Sequence, residues 1–277
     1  MRSVTSAIER PTAKENTRPT CSWKKPVKAV AWVLVFAFSA QAQAAEIKVL
    51  AQGAFRDVLP TLAPQFERAS GHKVTFTILT PGELKQRLLT GREVADVAFL
   101  NGALIPELEQ AGKIMGGDHT ELGSAFVAVA IRAGEAKPDL SSPDAVKRTM
   151  RAAKSVAISD PAGGSSQGPF ILGLADKFEF DAQLRSRFKL IPGAGNHVAE
   201  AVVNGDADIG ITISSEILSV KGAEIAGPLP PEMQNRSVYY AVLVTGTTQP
   251  QLGNTLIDYM SSPEAKTVMK HSGVESR

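Results

Sequence analysis

The sequence predicts an α/β fold in which mostly parallel sheets are covered by helices. Two observations carry that prediction. Strand and helix patterns alternate from Ile47 onward with short turns between them, and the strand segments are near-continuous apolar runs. A second alternating series follows between residues 155 and 213.

The elements justify themselves in order. Ile47 to Ala51 (IKVLA) reads as a buried strand, and the apolar spacing of Val58, Leu62 and Phe66 reads as a helix stopped at Gly71. Pro60 and Pro64 fall inside it, so a kink or a late start is expected. Lys73 to Leu79 is a second strand, Glu83 to Leu89 a second helix, and Ala95 to Leu100 a third strand. Ala125 to Arg132 is a longer strand. Ser142-Pro143 opens a helix, because a serine cap before a first-turn proline is a start signal. Ser155 to Ser159 is a strand, and a Gly/Ser loop then leads into a helix from Pro169 to Phe178. Lys189 to Ile191, His197 to Asn204 and Asp208 to Ile213 continue as strand, helix and strand. Ser237 to Thr245 is a long strand, and two helices close the chain, the last opened by Ser262-Pro263. Gly91 to Leu100 and Gly205 to Ile213 echo one another: a glycine stop, Ala-Asp, then a buried strand.

Charge is distributed unevenly over the 277 residues. The first 44 hold seven Lys/Arg and two acids; the remaining 233 hold 23 basic and 26 acidic side chains. That mildly acidic main part excludes a nucleic-acid binder held by a basic surface. Lys24-Lys25-Pro26-Val27-Lys28, the apolar run Ala29 to Ala40 and the small-x-small sites Ala40-Gln41-Ala42 and Ala42-Gln43-Ala44 form a secretory leader. Residues 1–44 are expected to be removed, because the apolar run is too short for a membrane span of about 20 residues. Cys21, Trp23 and Trp32 leave with the leader. The mature chain then has no disulfide, thiol nucleophile or Cys-metal site, and its core alone must hold it.

The chemistry-bearing motifs are few. GxSxG, HExxH and GxxxxGK[ST] are all absent, and His72, His119, His197 and His271 lack metal-ligand spacing. What the chain supplies is five strand-to-helix turns. They are Gln52-Gly53-Ala54-Phe55, Thr80-Pro81-Gly82-Glu83, Asp160 to Ser166 (DPAGGSS), Pro192 to His197 (PGAGNH) and Ile213-Ser214-Ser215. Ligands of parallel α/β sheets bind off the carboxyl ends of strands, where free helix N–H groups favour anions. Gly163-Gly164-Ser165-Ser166 is the strongest of these turns, since it combines close backbone access with hydroxyl donors.

IKVLAQGAFRDVLPTLAPQFERASGHKV, ADVAFLN, SDPAGGSSQG, NGDADIGI and SPEAKTVMKHSG stand in an order and spacing that resembles the periplasmic molybdate-binding protein family of ABC importers. The resemblance covers nearly all of residues 45–277. It implies a two-lobed class II periplasmic-binding-protein fold, each lobe a mostly parallel sheet flanked by helices. Lobe one would be residues 45–124 plus 238–277, and lobe two residues 125–237. Phe126 to Arg132 and Ser237 to Thr245 would be the crossing hinge strands. The implied partners are a small anionic ligand in the interlobe cleft and a membrane permease. The implied state is a periplasmic monomer with no cofactor, no nucleic acid, no metal, no catalysis and no stable membrane insertion once the leader is cut.

The residue-level match departs from the family. Its first-turn serine falls at Ala54, its second-turn serine at Pro81 with Thr80 beside it, and its fifth-turn tyrosine at Ile213. Its small third-turn residue falls near Ser166, and the valine whose backbone reaches the anion falls at Val198. Three side-chain donors are therefore missing. A hydrogen bond to a charged group contributes about 1.5–3 kcal/mol. Three lost bonds total ~4–9 kcal/mol, comparable to a whole micromolar affinity of ~8 kcal/mol. The expected ligand is thus a larger anion, an organic carboxylate rather than a bare oxyanion. The expected contacts are Gly53, Ala54, Thr80, Pro81, Ser165, Ser166, His197, Val198, Ile213 and Ser214. Three alternatives stand beside this one. One is molybdate or tungstate held by neighbouring hydroxyl and backbone donors. Another is a secreted α/β hydrolase using Ser165 or Ser166 with His197, and the third is a sensor subunit.

Overall fold

The computed structural model describes residues 44–117 and 119–276. The expected leader, apart from Ala44, lies outside the described residues. No helix among the described residues is long and apolar enough to cross a membrane.

The chain builds β1 (Glu46–Gln52), α1 (Val58–Ser70), β2 (Lys73–Leu79), α2 (Pro81–Thr90), β3 (Val97–Asn101) and α3 (Ile105–Gln110). It continues through β4 (Thr120–Arg132), α4 (Pro143–Ala152), β5 (Val156–Ser159), α5 (Gln167–Lys177), α6 (Ala182–Arg185), β6 (Phe188–Ile191) and α7 (Asn196–Val203). It ends with β7 (Ile209–Ile213), α8 (Ser214–Leu218), β8 (Ala223–Pro228), β9 (Arg236–Leu243), α9 (Pro250–Met260) and α10 (Pro263–His271).

The strands form one open sheet in the order β2-β1-β3-β9-β4-β7-β5-β6, with β8 added to β4. The outer pairs β1–β2, β1–β3, β5–β6 and β5–β7 are parallel. The centre departs from the mostly parallel expectation, because β4 and β9 run antiparallel to each other and to β3 and β7. The long β4 joins two sheet halves by changing partners along its length. Residues up to Phe126 pair with β9, and residues from Val127 pair with β7. The crossing strands differ from the expected Phe126–Arg132 and Ser237–Thr245. The first starts six residues earlier because its Thr120 end already bonds β9, and the second ends at Leu243.

Local sequence explains the elements that carry the turns. A short 3-10 turn over Gly53–Phe55 precedes α1, which begins at Val58, the first residue of the expected apolar pattern; the expected late start is not seen, because Pro60 falls in the first turn, where a helix tolerates proline, and Pro64 lies inside the helix. Val58, Leu59, Leu62, Ala63 and Phe66 bury one face of α1. Ser142 and Ser262 cap α4 and α10 through the amides of Ala145 and Ala265, each followed by proline at the first helical position. Every residue of β3 is buried, as a strand covered on both faces requires. Phe55 is fully buried and holds the first turn in place, its ring 5.2 Å from Phe99 on β3 and 5.5 Å from Tyr239 on β9. Burial of such a side chain contributes about 1.5–3 kcal/mol.

Candidate functional site: a closed cleft between strand-end turns

The turns that follow β1, β2, β3, β5 and β7 meet in one place, because each sheet half points the carboxyl ends of its parallel strands toward the other. They enclose about 20 Å³, room for roughly one water. Six of the expected contacts line this space: Gly53, Ala54, Pro81, Ser165, Ser166 and Ile213. An adjoining groove of about 470 Å³ shares Asn101 and Ser166 with it and is walled by Arg236 and Tyr240.

Four expected contacts do not line it. The Thr80 hydroxyl caps α2, accepting from the Glu83 amide at 3.3 Å and donating to the Glu83 carboxylate at 3.0 Å. Val198 is wholly buried on α7, packed with Ala157, Ala201 and Val202. Ser214 Oγ donates to the Gly273 carbonyl at 2.7 Å and accepts from the Phe126 amide at 3.3 Å, so this hydroxyl ties α8 to the chain's last turn. His197 is exposed, with Nδ1 3.0 Å from the Pro192 carbonyl. The hydroxyls of Ser165 and Ser166 are engaged with Gln167 at 3.2 and 3.3 Å. The serine–histidine pair of the hydrolase alternative is therefore not assembled.

The structure adds five lining residues that sequence reasoning missed: Gln52, Asn101, Gln167, Glu216 and Tyr239. Gln52 is 2 % exposed. Its Oε1 accepts from the Asn101 amide at 3.2 Å, which assigns Nε2 as the free end, and Nε2 has no partner. Asn101 Oδ1 and Gln167 Oε1 are buried and unpartnered as well. Unsatisfied buried amides are costly in a packed interior. Three on one small cavity mark a surface arranged for a polar occupant.

Glu216 is the acid of this site. Its Oε2 accepts from the Thr212 hydroxyl at 2.5 Å, and the amides of Gly195 and Ile213 also bond its carboxyl. The carboxyl occupies the space that a side chain at position 195 would fill, and it lies close to Gly53. A Cβ on Gly195 would lie 1.7 Å from Oε2, and one on Gly53 would lie 3.3 Å from Oε1. Burial pushes the Glu216 carboxyl above its ordinary value, opposed by Thr212, the Gly195 amide, the Arg56 charge and the Ile213 amide. Burial, and then the charge of Glu216, push the Tyr239 phenol up, so it stays protonated. The signal for Glu216 was an acid in the first turn of a helix directly after a buried strand, four residues beyond Thr212.

An open α/β sheet whose strand-end turns close over a polar cavity defines the class of periplasmic-binding-protein folds. Within that class, the chain belongs to the bacterial extracellular solute-binding protein family, whose model matches residues 47–275. It is 29% identical over 234 residues to an aconitate isomerase from Pseudomonas sp., covering 83% of this chain and 87% of that one. It is 23% identical over 239 residues to the molybdate-binding protein ModA of Azotobacter vinelandii, covering 84% of this chain and 90% of the relative. Among solved structures, an Azotobacter vinelandii periplasmic molybdate-binding protein superposes with a TM-score of 0.65 at 21% identity, covering 83% of this chain and 99% of that one. The resemblance to molybdate-binding proteins read from the sequence is thereby borne out.

Proposed function

We propose that this chain is the periplasmic solute-capturing component of an ABC importer and that its solute is a small organic carboxylate. The observation that carries the choice of solute is the Glu216 carboxyl at the meeting point of the turns. A bare oxyanion dianion placed there is repelled when Glu216 is ionised, and it lacks the donors absent at Ala54, Pro81 and Ile213. An organic acid brings a carbon skeleton for the apolar side chains and a carboxylate that can share a proton with Glu216. The groove beside Arg236 offers space for a second carboxylate. The name of the Pseudomonas relative points to the same ligand class.

Residues 45–124 with 238–277 act as one lobe and residues 125–237 as the other, moving about β4 and β9. A cavity the size of one water requires that the turns part before any carboxylate enters. The mature chain works as a monomer that presents its closed form to a membrane permease.

Isothermal titration of the mature protein with di- and tricarboxylates, molybdate and tungstate tests the reading. Micromolar binding of a carboxylate with weak or absent binding of either metal oxyanion is expected. A submicromolar constant for molybdate or tungstate overturns it and would mean that neighbouring hydroxyl and backbone donors hold the oxyanion.

A further inference from the structure

We propose that the last turn of the chain, Gly273 to Glu275, is a strap across the hinge, and that the Ser214 hydroxyl is its clasp: the bond from Ser214 to the strap forms as the cleft shuts and breaks as it opens. The inference rests on the reading that the two lobes move about β4 and β9.

The strap is fixed to lobe one on its far side. Glu275 exchanges two backbone bonds with Ser124 of β4, its amide donating at 2.8 Å and its carbonyl accepting at 2.7 Å. Gly123 makes room for that pairing, since a Cβ on it would lie 2.8 Å from the Glu275 carbonyl oxygen. Val274 between them is wholly buried, and its amide bonds the Met269 carbonyl of α10.

The clasp is fixed to lobe two. Ser214 opens α8, and its hydroxyl accepts from the Phe126 amide at 3.3 Å. Phe126 is the last β4 residue paired with β9, and Val127 the first paired with β7. The strap therefore grips β4 at residue 124 and the clasp grips it at residue 126, on either side of the point where the strand changes partners. One buried bond joins the two grips: Ser214 Oγ donates to the Gly273 carbonyl at 2.7 Å. The fit there is close, because a Cβ on Gly273 would lie 2.8 Å from the Ser215 amide nitrogen. A second, half-exposed link crosses beside it, from Arg236 of β9 to the Ser124 hydroxyl at 3.2 Å and to the Glu275 carboxylate at 3.4 Å.

This joint is coupled to the cleft through α8. The helix begins directly after Ile213 and carries Glu216, both of which line the small cavity. Parting of the turns carries α8 away from lobe one. Ser214 keeps the Phe126 amide, which travels with it, and loses the Gly273 carbonyl, which does not. A bond made only in the shut form favours that form by its net worth without touching the ligand.

The test reads lobe separation in the mature protein. Spin labels on Gln86→Cys and Gly173→Cys, exposed positions on α2 and α5 to either side of the cleft, give the distance distribution by double electron–electron resonance. The wild type is expected to populate a long and a short separation, and citrate, a tricarboxylate probe, to favour the short one. Without citrate, Ser214→Ala is expected to raise the long-to-short ratio roughly three- to tenfold, the worth of one net hydrogen bond. Ser214→Thr, which keeps the hydroxyl, is expected to restore it. Glu275→Gln, a half-exposed change, is expected to raise the ratio about twofold, so a poorly folded S214A does not remove the test. Ser262→Ala removes a cap inside lobe one alone and is expected to lower stability with the ratio unmoved. Wild-type ratios in both S214A and E275Q overturn the proposal. A shift in S262A as large as that in S214A also overturns it, since any loosening would then open the cleft. A single separation, unmoved by citrate and by every variant, overturns the lobe motion and the strap with it. Two separations that ignore citrate count against the carboxylate reading alone, and the S214A ratio still decides the strap.

Discussion

The backbone N–H of Gly82 donates to the carbonyl oxygen of Gly164 at 3.1 Å. Gly82 stands in the first turn of α2, where an unbonded N–H is a donor for an anion. Here the opposing loop takes that donor, so the two turns latch the cleft shut.

Gly164 itself sits at φ 74°, and a Cβ there would lie 3.2 Å from Thr80 Oγ1 and 3.4 Å from the Gly82 Cα. Gly164→Ala is therefore expected to cost about 1–2 kcal/mol of stability through left-handed strain. The same change should loosen the latch. Stopped-flow release of a bound carboxylate and a denaturant melt measure the two effects; an unchanged release rate would show that this bond does not govern opening.

The Glu216 carboxyl and the Thr212 hydroxyl fill the space that a side chain at position 195 would need. Gly195→Ala puts a Cβ into the Glu216 carboxyl, and overpacking of this kind typically costs about 1–3 kcal/mol. Adding Glu216→Ala should recover part of that loss, because the clashing group is gone. Melting curves of both single variants and the double variant give the coupling, and simple additivity would contradict the contact.

The pH dependence of stability has a definite sign at Glu216. Its folded-state pKa is raised from an ordinary value of 4.5, with burial the largest cause. The folded state then holds its proton where the unfolded chain has lost it. The associated stability is fully present below pH 4.5 and declines as pH rises through the folded-state value. Arg56, Thr212 and Tyr239 are the charged, polar and titratable side chains acting on this group, and none reverses the direction. Asp139, Asp181 and Glu224, lowered chiefly by bonds from Ser141, Arg151 and Lys137, act oppositely at acid pH. They cancel in a comparison of wild type with E216Q. Denaturant melts from pH 4 to 8 should show the wild type losing ground to E216Q with rising pH, and a constant gap would refute it.

Ser165 and Ser166 are the two serines that line the cavity. Replacing both by Ala is expected to weaken carboxylate binding by roughly 2–4 kcal/mol, from two lost hydrogen bonds. Ser165 also accepts from the Gln167 amide at the start of α5, so a stability loss near 1 kcal/mol accompanies it. Titration and melting of the double variant read these separately, and undiminished affinity would move the polar contacts elsewhere.

Cleavage after Ala44 would remove both tryptophans and leave Tyr239, Tyr240 and Tyr259. Protein recovered from the periplasm should start within a few residues of Ala45 and fluoresce from tyrosine only. Tryptophan emission would show that Trp32 is retained.

The sequence by itself determined the elements whose causes are local. Ser142-Pro143 and Ser262-Pro263 announce α4 and α10 because a cap and a proline act within one turn. The apolar runs of β1 and β7 announce buried strands because a strand covered on both faces is apolar along its whole short length. Gly53, Ala54, Pro81, Ser165, Ser166 and Ile213 were readable as cleft residues because strand-end turns share one side of a parallel sheet. Only the tertiary structure decided the rest. The edge strand β8, half-buried and ending in Pro228, pairs with β4 across some 90 residues and has no strong pattern of its own. Glu216 reads in the sequence as an ordinary first-turn acid, and Gln52 as a polar strand end. Each becomes part of a site when Gly195, Thr212 and Gly53 surround the one, and Asn101 fixes the other's amide. The desolvation that gives both their chemistry comes from residues up to about 160 positions away, and no local pattern carries it.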